Sequence, residues 1–174
     1  LHVRGFTKHT SSNVEHRGTF AGIKEKIPYL KEIGITTLEL QPAYEFAEIP
    51  LKGETAGNLP HVMDAAVAGR PAGKELNYWG YKKGYYYAPK AAYAASCDPA
   101  VEFKELVRAL HGSGMELVMQ FYFPKEVKRR EILEILCFWV LEYHVDGFRL
   151  LGETLPMDML ARDDVLADTT LWPY

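Results

Sequence analysis

The feature of this sequence that most constrains its fold is a repeated alternation of short apolar segments with longer segments of helical periodicity. The short segments are rich in β-branched and aromatic residues, which is typical of strands. The longer segments place apolar residues three and four positions apart, which is typical of helices packed on one side. This alternation predicts an α/β fold with repeated βα units and a parallel sheet. The predicted strands are Leu1–Phe6, Ile35–Leu40, Met115–Phe123, Val145–Leu151 and Thr170–Trp172, and the predicted helices are Phe20–Ile33 with an interruption at Pro28, Pro99–Gly112, Glu126–Tyr143 and Pro156–Leu166.

A chain of 174 residues has the size of one domain, and we predict a single domain over residues 1–174. A closed eight-stranded (β/α) barrel needs about 250 residues, so this chain could supply only about half of one. Neither a methionine nor a signal segment precedes the first predicted strand. We therefore expect a piece of a longer protein, with a cytoplasmic location slightly favoured.

Composition and motifs argue against several classes of function. The net charge of −3 disfavours a nucleic-acid surface, and every apolar run is far shorter than the about 20 residues of a membrane span. The two cysteines, Cys97 and Cys137, lack the spacing of a zinc site, and the histidines are scattered, so we expect no metal. No glycine-rich nucleotide-binding motif is present, and we expect no cofactor.

The segment Gln41–Ser96 is far longer than an ordinary connection, which indicates either a functional loop or a disordered one. Its second half is rich in aromatic rings that combine an apolar face with a polar edge, as a sugar does. Such rings suit a carbohydrate ligand. The alternative is that they pack the loop onto the sheet, and composition does not separate the two. The rings belong to Tyr78, Trp79, Tyr81, Tyr85, Tyr86, Tyr87 and Tyr93.

The fourth predicted strand carries a charge. Side chains alternate between the two faces of a strand, so Arg149, Leu151 and Glu153 share one face. A cation on a buried parallel strand needs an anionic partner, which is either a ligand or a neighbouring carboxylate. The sequence leaves open whether Arg149 belongs to a binding site or to a structural ion pair.

Five segments in order along nearly the whole chain carry a resemblance to a known family. They are Leu1–Thr7, Asn77–Tyr81, Phe103–Met115, Trp139–Arg149 and Ala161–Thr170. Together they resemble the α-amylase family of glycoside hydrolases (family 13), in its pullulanase, isoamylase and glycogen-debranching branch. The resemblance implies the N-terminal half of that family's TIM-type (β/α)8 catalytic barrel, covering the region of its strands one to five.

The resemblance also implies where catalytic groups would lie, and they are missing. The family places its nucleophilic aspartate two residues after an arginine, where this chain has Arg149 followed by Leu151. The general-acid glutamate of the family falls at Tyr174, and the polar residues that end its third strand are replaced within Gln120–Lys125. The subdomain often inserted after that strand is also missing. Because retaining glycosidases need two carboxyl groups, we predict that the chain is catalytically inactive.

Residual binding of an α-glucan or maltooligosaccharide is the remaining prediction, since Tyr81 matches the tyrosine on which the family stacks a sugar. Two alternatives stay open. The chain could be an active glycosidase that uses Glu153, Glu39 or Glu45, or a structural module completed by a partner chain or by a second copy of itself. In an inactive chain, Arg149 would pair with Glu153 or Glu39. The candidate substrate-binding residues are Tyr78, Trp79, Tyr81, Arg149 and Glu153.

Overall fold

The structure is a computed structural model that describes residues 1–49 and 76–173. Four of its strands form a parallel sheet, and the other two form a small antiparallel sheet. The strands are β1 (Thr37–Leu40), β2 (Tyr44–Glu45), β3 (Tyr85–Pro89), β4 (Glu116–Phe123), β5 (Gly147–Gly152) and β6 (Thr170–Pro173). The parallel sheet has the order β1-β4-β5-β6, and β2 pairs with β3. The predicted α/β fold with a parallel sheet is therefore confirmed.

The helices lie between the strands, as the sequence pattern predicts. They are α1 (Val3–Thr7), α2 (Phe20–Glu25), α3 (Ile27–Glu32), α4 (Pro99–Gly112), α5 (Arg129–Tyr143) and α6 (Met157–Leu160). The Asp98 side chain begins α4 by accepting the Val101 N–H at 3.0 Å, which is the usual role of an N-cap aspartate. Among the helices of residues 1–49 and 76–173, none is long and apolar enough to span a membrane.

Alternation of side chains gives the parallel sheet two different faces. Phe121 and Phe148 lie on the apolar face and are fully buried. The Phe121 ring is 5.6 Å from the ring of Trp139 on α5, which in turn lies 5.4 Å from Phe103 on α4. The helices thus cover this face and form the core. The opposite face carries polar side chains that are partly exposed, and it positions the candidate site.

The predicted strand Leu1–Phe6 is wrong beyond its first residue. The Leu1 backbone exchanges hydrogen bonds with β1 and with the residue that follows β1, in the pattern of a parallel ladder. The chain then turns into α1, because the His2 imidazole accepts the Gly5 N–H at 2.9 Å and caps the new helix. A local side-chain contact with the backbone therefore ends the strand early.

Other boundaries differ for similarly local reasons. The interruption predicted within Phe20–Ile33 is present, and it falls at Lys26, between α2 and α3, because Pro28 lacks an N–H and lies in the first turn of α3. The predicted helix Pro156–Leu166 divides into α6 and a 3-10 turn at Asp164–Leu166. The predicted loop Gln41–Ser96 contains β2, β3 and a 3-10 turn, while its residues 50–75 lie outside the described part of the chain.

Candidate functional site

Polar side chains gather on the partly exposed face of the sheet, at interior positions of three of its strands. Glu39 lies on β1, Gln120 on β4 and Arg149 on β5. The register places Gln120 beside Arg149 and Glu39 beside Val118. Since Val118 and Gln120 are two positions apart on β4, all these side chains share one face.

A continuous chain of hydrogen bonds connects three strands and the loop before β3. Arg149 donates twice to the Glu39 carboxylate, with Nε 2.7 Å from Oε1 and Nη2 3.1 Å from Oε2. Gln120 donates its Nε2–H to the same Oε1, and its own Oε1 accepts from the Tyr81 hydroxyl. The guanidinium carbon of Arg149 also lies 5.8 Å from the centre of the Trp172 ring on β6. The polar side chains of this face are therefore joined to one another by hydrogen bonds and an ion pair.

The surroundings of Glu39 favour its charged form. Burial acts against ionisation, but the hydrogen bonds from Arg149 and Gln120 and the positive charge of Arg149 outweigh it, so the pKa of Glu39 is lowered. Burial raises the pKa of Tyr81, and the negative charge of Glu39 adds to this rise. Near neutral pH, Tyr81 is therefore a donor and Glu39 an acceptor, as the hydrogen-bond chain requires.

Leu151 and Tyr174 were predicted to occupy catalytic positions, and Glu153 was predicted as an alternative carboxylate. Leu151 lies on β5 beside Tyr122, on the same face as Arg149, and is partly exposed. Glu153 follows the last residue of β5 and is exposed. Tyr174 lies outside the described residues. Of the two partners predicted for Arg149, Glu39 is the one that makes the bidentate contact.

Tyr78 and Trp79 lie together in the loop that precedes β3, and both are partly exposed. The Tyr78 ring stacks on the His2 ring, with centroids 4.4 Å apart and planes within 5°. The Trp79 ring meets the same imidazole edge-on at 5.3 Å. Gly80 then has φ +78°, and a Cβ there would lie 2.5 Å from the Phe46 ring, so the tight turn requires glycine.

The other tyrosines of the aromatic stretch divide between the two interpretations. Tyr86 and Tyr93 are buried in the core, so the packing alternative is right for them. Tyr85 and Tyr87 lie on the opposite face of β3 and are exposed. The rings of the candidate site are thus Tyr78, Trp79 and Tyr81, each partly exposed.

The Glu45 carboxylate, one of the alternative catalytic groups, is engaged elsewhere. Its Oε1 is 3.1 Å from the buried Lys90 Nζ, and its Oε2 accepts the Ala91 N–H at 2.7 Å. These contacts fix the chain after β3. Among residues 1–49 and 76–173, no group of three or more His, Cys, Asp or Glu side chains is arranged to hold a metal ion.

Two residues of the site were missed by reasoning from the sequence. Gln120 links Tyr81 to Glu39, and the available signal was an amide in the middle of an apolar strand, next in sequence order to the strand that carries the arginine. His2 supports Tyr78 and Trp79. No signal in the sequence indicated its role, because it lies about 75 residues away from them along the chain.

Comparison with known proteins identifies relatives of this chain. No family model matches it. Isoamylase 1, chloroplastic, of rice (Oryza sativa subsp. japonica) is 31% identical over 199 residues, covering 86% of this chain and 22% of the relative. The isoamylase of Pseudomonas amyloderamosa is 33% identical over 123 residues, covering 68% of this chain and 14% of the relative. The chain spans less than a quarter of the length of the chloroplastic isoamylases that it matches.

Solved structures share the fold. The pullulanase of Paenibacillus barengoltzii, in complex with maltohexaose and α-cyclodextrin, matches with a TM-score of 0.63 and 22% identity, over 86% of this chain and 29% of that one. The pullulanase SAP of group B Streptococcus matches with a TM-score of 0.67 and 18% identity, over 99% of this chain and 27% of that one. The isoamylase relatives show that the chain belongs to the α-amylase family of glycoside hydrolases. Within this family, relatives of 31–34% identity are isoamylases and a glycogen debranching enzyme.

Proposed function

We propose that the chain corresponds to the first half of an α-amylase-type (β/α)8 barrel and that it binds an α-glucan without hydrolysing it. The order of the parallel strands supports the first part. The strands β1, β4, β5 and β6 are neighbours in the order in which they follow along the chain, and helices cover one face. The ladder-like hydrogen bonds of Leu1 add a further strand position beside β1. Five consecutive positions match the first five strands of such a barrel.

The observation that carries the loss of hydrolysis is Leu151 at the end of β5. A retaining glycosidase needs two carboxyl groups about 5–5.5 Å apart, one as nucleophile and one as acid and base. A leucine can neither attack the anomeric carbon nor stabilise a positive charge there. The nearest carboxylate known to contact Arg149 is Glu39, which is held ionised in a bidentate pair and is therefore a poor proton donor.

Binding is supported by three partly exposed rings, of which Tyr81 is hydrogen-bonded to Gln120 on this polar face. Tyr78, Trp79 and Tyr81 offer apolar faces to the C–H face of a sugar ring, and Arg149 and Glu153 offer a donor and an acceptor for hydroxyl groups. Related structures of the Paenibacillus barengoltzii pullulanase are complexes with maltohexaose, maltotetraose and maltotriose. An α-glucan of a few units is accordingly the ligand class that we propose.

Calorimetric titration of the chain with maltohexaose tests both parts. We expect saturable heats, no continuing heat flow, and no new reducing ends. The double variant Trp79→Ala, Tyr81→Ala should bind at least about tenfold more weakly, because two ring contacts are lost. Tyr85→Ala is the matched control, since this tyrosine is 67% exposed on β3 and lies outside the proposed site.

Three outcomes would contradict the proposal. New reducing ends that disappear in Glu39→Gln or Glu153→Gln would show an active glycosidase that uses those carboxylates. Equal loss of affinity in the ring variant and in Tyr85→Ala would place the glucan elsewhere. No heat at all, with a dimer mass in light scattering, would favour a structural module completed by a second copy, since the open sheet leaves strand edges available for pairing.

A further inference from the structure

The His2 imidazole supports both aromatic rings at the start of the proposed glucan site. It is 8% exposed, and its plane is parallel to the Tyr78 ring at 4.4 Å. The Trp79 ring contacts it edge-on, with planes at 86°. We call residues 78 and 79 the Tyr78–Trp79 segment. Because both rings of this segment contact one imidazole, the position of that imidazole determines where the rings lie.

The hydrogen bonds of His2 define its protonation state. Nδ1 lies 2.9 Å from the Gly5 backbone nitrogen, which can only donate, so Nδ1 carries no proton. A neutral imidazole then has its single N–H at Nε2, which is 3.0 Å from the Tyr78 carbonyl oxygen, an acceptor. Nε2 is also 3.2 Å from the Tyr93 hydroxyl. Neutral His2 thus joins the start of α1 to the Tyr78–Trp79 segment through one acceptor and one donor.

A second proton on the ring would disrupt this arrangement. A proton on Nδ1 would face the Gly5 N–H, so that two donors oppose each other and the cap of α1 is lost. Burial is the main cause that lowers the pKa of His2, and the charges of Arg4 and of the Leu1 amino group act in the same direction. The Tyr78 carbonyl and the charge of Glu48 act in the opposite direction. The charged and titratable groups that face His2 are the Leu1 amino group, Arg4, Glu48, Tyr78 and Tyr93.

We propose that His2 is a positioning residue whose neutral imidazole holds the Tyr78–Trp79 segment in place for an α-glucan and releases it on protonation. The protonated ring can still donate from Nε2 to the Tyr78 carbonyl, so release acts through Nδ1, whose new proton faces the Gly5 N–H. The ring has to turn away from this second donor, and turning it removes the stacked contact with Tyr78. The positioning itself is independent of any ligand. Only the consequence for glucan affinity rests on the proposed function, so the two can be tested separately.

The first test needs no glucan. Trp79 fluorescence, isolated as the difference between the chain and its Trp79→Phe variant, is followed from pH 8 to pH 5. A pKa that is lowered in the folded chain means that neutral His2 prevails above the ordinary value of about 6.5. The emission should therefore change only below that pH. His2→Asn should show no change, because asparagine can cap α1 but has no ring and cannot reach the Tyr78 carbonyl.

Matched controls separate positioning from stability. His9→Asn is the control variant, because His9 caps the 3-10 turn Thr10–Ser12 through the same Nδ1 contact but lies outside the site. Both asparagine variants should keep a melting temperature close to that of the unchanged chain, since asparagine is a good N-cap. Only His2→Asn should lose the fluorescence transition. A transition that persists in His2→Asn, or its absence from the unchanged chain, would overturn the inference.

The second test measures maltohexaose affinity at pH 8 and pH 5. We expect about a tenfold loss at pH 5 in the unchanged chain, because the partly buried hydrogen bond from the Gly5 N–H to His2 Nδ1 is broken. His2→Asn should bind weakly at both pH values, while His9→Asn should behave as the unchanged chain. Absence of glucan binding together with the Trp79 transition would overturn the proposed function and leave the positioning role standing. Binding that is strong and independent of pH would refute the coupling.

Discussion

The ion pair between Glu39 and Arg149 is the contact whose removal is most informative. Replacing Glu39 by glutamine keeps the shape of the side chain but removes its charge. In the structure this carboxylate accepts two hydrogen bonds from Arg149 and one from Gln120. The variant therefore leaves a guanidinium on the sheet with a neutral partner.

The stability that Glu39→Gln removes should lie between the contribution of a surface ion pair and that of a buried ion pair. The Glu39 side chain is 29% exposed and that of Arg149 is 34% exposed, so solvent screens part of the interaction. Surface pairs contribute at most about 1 kcal/mol, and breaking a buried pair costs about 3–5 kcal/mol. After this screening, we expect Glu39→Gln to lower the free energy of unfolding by about 1.5 kcal/mol at pH 7.

The destabilisation caused by Glu39→Gln should depend on pH, and the lowered pKa of Glu39 determines the direction of this dependence. A carboxyl group whose pKa is lowered by folding stabilises the chain fully above its unfolded pKa, and this stabilisation is lost as the pH falls through the folded pKa. Urea unfolding at pH 7 and at about pH 3 measures the difference. The gap between the chain and Glu39→Gln should shrink at the lower pH, because Glu39 is then losing its own charge.

Glu134→Gln is the matched control for this measurement. Glu134 pairs with Arg130 one turn away on α5, where the side chains are 55% and 85% exposed. Such a pair contributes less than about 0.5 kcal/mol. The reasoning would be refuted if Glu39→Gln lowered the free energy of unfolding at pH 7 by no more than Glu134→Gln does. An equal loss at both pH values would also show that the pair of Glu39 and Arg149 is weaker than its geometry indicates.

Two further predictions concern the loop and the thiols. Gly80→Ala should lower the melting temperature and the free energy of unfolding, the latter by about 2 kcal/mol, because φ is +78° and the new Cβ would collide with Phe46. The control Gly112→Ala places its Cβ where no atom lies within 4 Å and should be neutral or stabilising. Thermal unfolding of the two variants tests this prediction. At pH 8, iodoacetamide should modify Cys97, which is exposed, well before Cys137, whose pKa burial raises to about 11. Peptide mass mapping over time would contradict this if both thiols reacted at equal rates.

The parts of the fold that could be predicted from the sequence are those in which burial has a local period. The β4 strand was predicted within one residue, since four apolar side chains at alternate positions face the helices and its polar ones lie on the opposite face, beside Val118. The α4 helix was predicted because an aspartate and a proline begin it and glycines follow it. Not every apolar residue of this helix faces the core, since Val101 is 51% exposed.

Other parts depended on contacts that no local pattern encodes. The strands β2 and β3 are short segments about 40 residues apart, and their pairing depends on the tyrosines that pack between them and β4. The helix α1 exists because His2 caps it, which is a choice between two local geometries of similar sequence preference. Tertiary contacts decide both cases.

The candidate site likewise has one feature that the local sequence predicts and another that only tertiary contacts determine. That Arg149 needs an anionic partner follows from its place on a buried strand, and this was predictable. The identity of this partner could not be predicted, because Glu39 contacts Arg149 across the intervening strand β4. The parallel register of the three strands sets the distance between the two side chains. Glu153 is closer along the chain, yet it follows the last residue of β5 and is exposed.

The position of Arg149 explains how a sheet of this family can accommodate Leu151. A half-buried cation such as Arg149 needs a charge of opposite sign nearby. Here Glu39 supplies that charge from β1, and Gln120 orients the carboxylate from β4. The leucine itself lies on the partly exposed face beside Tyr122, where an apolar side chain costs little. The pairing of Arg149 with Glu39 does not involve position 151, so we expect a substitution of Leu151 to leave this pair intact.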